Sequence, residues 1–72
     1  MEPKVKPDFQ MREYLPHEAV RIKDIHQSYL FLKNGARPVD IYPLLDKEGI
    51  VFVFLKSETK ELYEKYRRFE LS

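Results

Sequence analysis

Two histidines, His17 and His26, stand nine positions apart with Glu18 and Asp24 beside them, the combination in this chain nearest to a metal-binding set. Structural zinc needs four closely spaced ligands, and two histidines at this distance with no cysteine match no such arrangement. Both are expected to be surface or rim residues. A nucleophilic centre would have to combine Ser28, His26 and a carboxylate such as Asp40. Positions two apart on a helix point away from each other, so His26 cannot take the proton from Ser28. Paired carboxylates could come only from Asp40, Asp46, Glu48 or the glutamates of the last helix. All of these belong to patterns expected to face solvent, with nothing to raise a carboxyl pKa. Glycine occurs only at 35 and 49, so no glycine-rich phosphate loop can form. No catalytic residue, cofactor site or metal ligand is expected, nor a small-molecule substrate, and an enzyme is the least favoured class.

The 72 residues bound the answer further. Thirteen Lys and Arg oppose twelve Asp and Glu, a net charge of +1 that does not suit polyanion binding as a main task. An apolar share of 43% with 14% aromatic places the chain outside the disordered class. No apolar run approaches the roughly 20 residues of a membrane span, and the opening Met-Glu-Pro-Lys-Val-Lys-Pro lacks a signal-like apolar stretch. A cytoplasmic location with no membrane partner is the expectation. Residues 1–7 have the composition of a flexible tail, and 8–72 form one domain near the lower size limit for an unstapled core. Self-association is one way such a chain gains support.

The elements are organised around Gly49-Ile-Val-Phe-Val-Phe-Leu-Lys56. Six consecutive apolar residues, nearly all β-branched or aromatic, mark a strand covered on both faces. Ile50, Phe52 and Phe54 face one way, and Val51, Val53 and Leu55 the other. Arg37 to Leu44 alternates Val39 and Ile41 against Asp40 and Tyr42. Pro38 and Pro43 cannot donate to a ladder, so this strand either lies at a sheet edge or turns its proline nitrogens outward. A charged turn ending at Gly49 makes the two strands an antiparallel hairpin, with a positive φ expected at the glycine. Ahead of them, Ala19-Val20-Arg21-Ile22 predicts a short strand.

A helix over Ile25 to Asn34 follows, capped by Asp24 with Gln27 three residues on. Ile25, Tyr29 and Leu32 supply its expected buried stripe, widened by Leu30 and Phe31. Asn34-Gly35 is its left-handed stop. Ser57 is expected to cap a last helix whose buried stripe is Leu62, Tyr66 and Phe69, beside Tyr63. Glu61–Lys65 and Glu64–Arg68 are i,i+4 pairs in the favourable orientation. Residues 8–15 fit either a weak strand or one helical turn capped by Asp8, and Pro16 ends the segment. The fold class is α+β: about three antiparallel strands in β-α-β-β-α order, with two helices on one face.

Asp24, Tyr29, Leu30, Leu32, Gly35, Phe52 and Phe54, with the closing helix through Tyr66, resemble a small domain of bacterial and phage genomes to which no activity is assigned. The likeness spans roughly Val20 to Phe69 and implies the element order without implying a site. Gln27-Ser28 departs from it, since such helices carry small apolar residues there.

Two helices cannot cover both sheet faces. The face of Val51, Val53 and Leu55, with Tyr42 on the edge strand, therefore needs either the N-terminal segment (Phe9, Met11, Tyr14, Leu15) or a second copy of the chain. An uncovered patch of that kind marks an interaction site. The favoured function is a non-enzymatic protein-interaction module, self-associating through the sheet as a homodimer. The alternative is a small nucleic-acid-associated regulatory protein using Lys60, Lys65, Arg67 and Arg68 interleaved with Tyr63 and Tyr66. Glutamates on the same helix oppose that field, and phosphate binding rests on unopposed positive charge.

Overall fold

The computed structural model describes residues 3–6, 9, 11–45 and 47–72. A 3-10 turn at Pro16–Glu18 leads into β1 (Ala19–Ile22), α1 (Ile25–Lys33), β2 (Asp40–Pro43), β3 (Ile50–Leu55) and α2 (Lys56–Arg67). The sheet order is β1-β3-β2, antiparallel at both junctions, so β1 and β2 run parallel to each other on either side of β3. The apolar strand is therefore central, and the proline-bounded β2 lies at an edge. The expected α+β architecture is the one observed.

The register sets what each face carries. Val20 and Ile22 stand opposite Phe54 and Phe52, while Ala19 and Arg21 stand opposite Leu55 and Val53. One face packs Phe54 and Phe52 with Ile22, Phe31 and Ala36, under Leu62, Tyr66 and Leu71. The other packs Val51 and Val53 with Ala19, Val39 and Tyr14, flanked by Val5, Tyr42, Leu44 and Leu55.

Coverage of that second face comes from the chain itself. Val5 and Tyr14 exchange backbone hydrogen bonds of 2.7 and 3.2 Å and pack together against Val51 and Val53, so that the N-terminal segment is looped back on itself at this face. Val5, expected in a loose tail, is thus paired and half-buried. Phe9 and Met11 are not the main cover: Phe9 is exposed, and Tyr14 is the buried residue of the segment. The cap expected at Asp8 lies outside the described residues, as do Pro7, Gln10 and Asp46.

Both helices depart in detail from their apolar spacing. In α1 the Asp24 cap is present, its carboxylate accepting from the Gln27 N–H at 3.0 Å. The buried residues, however, are Gln27, Ser28, Leu30 and Phe31, while Ile25 and Tyr29 are 62% and 56% exposed. Phe31 explains the rotation. Its ring lies 5.7 Å from Phe54, 6.0 Å from Tyr63 and 6.3 Å from Tyr66, all edge-to-face. Seating the largest apolar side chain of the helix carries its i−3 and i−4 neighbours inward with it. Tyr29 is left outside, with the Lys33 ammonium 6.0 Å from its ring centre.

Ser28 is the cost of that seating. Its hydroxyl is buried and finds no hydrogen-bond partner among the described residues. Removing an unsatisfied buried hydroxyl recovers part of its desolvation penalty. Ser28→Ala is expected to raise the unfolding free energy by about 1 kcal/mol, read from the urea midpoint. A destabilised Ser28→Ala protein would contradict this reading.

β3 passes into α2 with no intervening loop. Leu55 occupies the cap position without a side-chain cap bond, and Ser57, the expected cap, lies inside the helix. Thr59 is buried and donates its hydroxyl to the Leu55 carbonyl at 2.9 Å, so the inward stripe is Thr59, Leu62 and Tyr66. Phe69, expected to extend the stripe, lies beyond the helix and points away from the core.

Candidate functional site

The sites expected from the sequence are placed as follows. Val51 and Val53 are buried beneath the N-terminal segment, and Leu55 and Tyr42 are half-buried beside it. That face offers no open valine surface to a partner. Lys60, Lys65, Arg67 and Arg68 are all exposed but do not form one cluster. Lys60 and Arg67 share a line along α2 with Lys56 and Tyr63, whereas Arg68 pairs with Glu70 at 3.3 Å and Lys65 lies around the helix. Among the described residues, no group of three His, Cys, Asp or Glu side chains is assembled to hold a metal.

Asp40 corrects the expectation of a solvated carboxylate. It is buried, accepting from the Tyr14 hydroxyl at 3.1 Å and from the Ile41 N–H at 2.9 Å. The strand alternation that suggested an outward Asp40 is obeyed, but the N-terminal loop makes that side an interior. Burial is the main cause that pushes the Tyr14 phenol up from its usual 10.0 to about 12, reinforced by the bond and charge of Asp40 and opposed by Arg21. A phenol whose folded pKa exceeds its unfolded one contributes stability that is intact below pH 10 and is lost as pH climbs towards 12. Over that window the stability is expected to fall by roughly 2 kcal/mol, measured by denaturant titration at stepped pH. Tyr14→Phe should remove most of this dependence. Arg12 fastens the same loop to α2 through two bonds to the Glu58 carboxylate, at 2.9 and 2.8 Å. That pairing raises the Arg12 pKa and lowers that of Glu58, the hydrogen bond contributing most to each.

The open surface lies on the helical side. Between α1, α2 and the residues after α2 runs a groove of about 420 Å³, lined by Leu30, Tyr63, Tyr66, Phe69 and Leu71 with His26 and Arg67 among its polar members. Asn34 closes one end of the assembly, donating its amide to the Leu30 carbonyl at 2.8 Å and to the Ser72 carbonyl at 3.3 Å.

Phe69 is the unusual member. It is 97% exposed and holds φ at +58°, a left-handed conformation disfavoured for bulky residues. It occupies the left-handed position of a Schellman stop, in which the Phe69 N–H bonds to the Tyr66 carbonyl at 3.1 Å and the Glu70 N–H to the Lys65 carbonyl at 2.8 Å. α1 ends on the same motif. There Gly35, at φ +97°, bonds to Leu32 at 3.1 Å and Ala36 to Phe31 at 3.0 Å. One chain thus makes the same stop twice, once with the residue that adopts it freely and once with phenylalanine. The left-handed form costs an L-residue about 1–2 kcal/mol. With almost no contact to lose, Phe69→Gly is expected to stabilise the fold by roughly 1 kcal/mol in dilute solution, seen as a higher thermal midpoint.

No family model matches the chain, and neither a curated protein nor a solved structure matches it. The resemblance noted for Val20 to Phe69 accordingly gains nothing from these comparisons. The surface itself must carry any reading. It was missed in the sequence because Phe69 sits at i+3 and i+7 from Tyr66 and Leu62, spacing that a helix without a stop would turn inward. The signal that could have found the stop is weak, since Arg67-Arg68-Phe69 contains neither glycine nor asparagine.

Proposed function

We propose that this chain is a non-enzymatic protein-interaction module whose contact surface is the open groove between the two helices. The observation that carries the reading is Phe69, a large apolar side chain held outward at an energetic cost beside an apolar groove. Strained conformations cluster where they serve a contact or a function, and the stop that residue 69 makes forms without strain on glycine at position 35. Exposed Tyr63 adds a second aromatic to the same surface. Aromatic anchors beside a groove are the groups that carry most of the energy in protein interfaces. Against an enzymatic reading, α1, with His26 and Ser28, packs on the sheet face opposite the one bearing Asp40.

The reading is tested by placing a photo-reactive phenylalanine analogue at position 69 in the full chain within cells. A discrete adduct is expected, and it should vanish when Tyr63→Asp is added. The same probe at exposed Lys47 should give none. Equal, diffuse labelling at both positions would end the proposal.

A second reading rests on Lys56, Lys60, Tyr63 and Arg67, which recur at i, i+4, i+7 and i+11 and so share one side of α2. Tyrosine among cations suits a single nucleic-acid strand. In that case binding should weaken steeply between about 50 and 200 mM salt and be lost in Lys60→Ala with Arg67→Ala. No retention on heparin at low salt would dismiss it.

A further inference from the structure

We infer that the occupant of the helical groove is a second copy of this chain, the two related by a twofold axis that places each Phe69 in the groove of the other. This rests on the interaction-module reading and specifies its partner. Three observations support the second copy over an unrelated protein.

The first is that knob and hole lie on one face. Phe69 projects from the same surface that Leu30, Tyr63, Tyr66 and Leu71 hollow out. A twofold interface requires that a single patch complement itself, each residue meeting its counterpart's partner. The space is sufficient: a cavity of about 150 Å³ accommodates a benzene ring, and this groove measures about 420 Å³.

The second is charge. Glu70 follows Phe69 directly, while His26 and Arg67 line the groove. Seating Phe69 of one copy brings its Glu70 towards the Arg67 guanidinium of the other, and the symmetry repeats the pairing. Glu70 meets Arg68 only loosely within its own chain, both more than half exposed, so it remains available. A net charge of +1 per chain adds almost no general repulsion between copies.

The third is strain. The left-handed Phe69 leaves its side chain 97% exposed, and the matching stop at Gly35 forms with no side chain at all. Burying two phenyl rings on association would repay both copies.

The test is sedimentation velocity on the full chain from about 1 to 500 µM, a span set to cover typical weak self-association. A species at twice the 8.7 kDa chain mass is expected. Phe69→Gly should weaken association by about a hundredfold, on the order of tenfold for each ring no longer buried, while the chain stays folded. Arg67→Glu and Glu70→Arg should each weaken the dimer, and the two together should restore it. That rescue is a result that mere misfolding cannot produce. A dimer indifferent to Phe69→Gly, or a double charge reversal no better than the singles, overturns the inference. A monomer throughout the range also overturns it. In that event a photo-adduct at position 69 of some other mass leaves the interaction module standing, and no adduct removes both.

Discussion

Replacing Phe31 by alanine is expected to cost about 3–5 kcal/mol of unfolding free energy, the range for truncating a buried aromatic. A chain of 72 residues holds on the order of 4–11 kcal/mol in total, so this change consumes most of its margin. The magnitude follows from position. Phe31 is completely buried, and its ring meets Phe54, Tyr63 and Tyr66 edge-to-face. Its removal leaves a hole bounded by two helices and the middle strand, which cannot all close upon it. Tyr29→Ala provides the contrast, with an expected change within about 0.5 kcal/mol, as for exposed substitutions generally. Urea titrations followed by circular dichroism measure both. Were Tyr29→Ala the costlier substitution, α1 would be turned the other way and the groove described above would not exist.

Tyr14→Ala should be nearly as severe, again about 3–5 kcal/mol, for two separable reasons. The ring is part of the cover over Val51 and Val53, and the hydroxyl satisfies buried Asp40. Tyr14→Phe keeps the ring and loses only the hydrogen bond to a carboxylate, at about 1.5–3 kcal/mol. The difference between the two substitutions measures the cover alone. Tyr14→Ala should also leave Val51, Val53 and Leu55 open enough to associate, giving a midpoint that depends on protein concentration. A Tyr14→Ala protein as stable as its parent would mean that the N-terminal loop does not hold the sheet face.

The sheet was legible because its signals are local. An uninterrupted β-branched and aromatic run marks β3, prolines narrow β2 to an edge or to outward-facing nitrogens, and Asp24 with Asn34-Gly35 brackets α1. The side that each helix presents was not legible, because it is decided between elements. Ile25, Tyr29 and Leu32 make as regular a stripe as any, yet the aromatic cluster around Phe31 outweighs it, even with Ser28 left unsatisfied. Asp40 looked solvent-facing for a related reason: alternation fixes which side of the sheet a residue occupies but not whether a segment 26 residues earlier in the chain returns to cover it. The groove residues are individually visible in the sequence, where Tyr63, Tyr66, Arg67 and Phe69 all read as helix or core positions. What turned them into a surface was the stop after Arg67, which sends the chain back towards α1.

The absence of a loop between β3 and α2 has a mechanical consequence. The strand that anchors the sheet and the helix that shapes the groove are rigidly coupled, like a shaft and its crank. One extra residue at the joint would swing the helix by about 100°, carrying Leu62 and Tyr66 off the sheet, because the segment has no slack to absorb the turn. Loop insertions of the same length between Leu44 and Gly49 should pass almost unnoticed. Amide exchange should likewise find α2 and β3 opening together, so that whatever grips the groove also clamps the centre of the sheet.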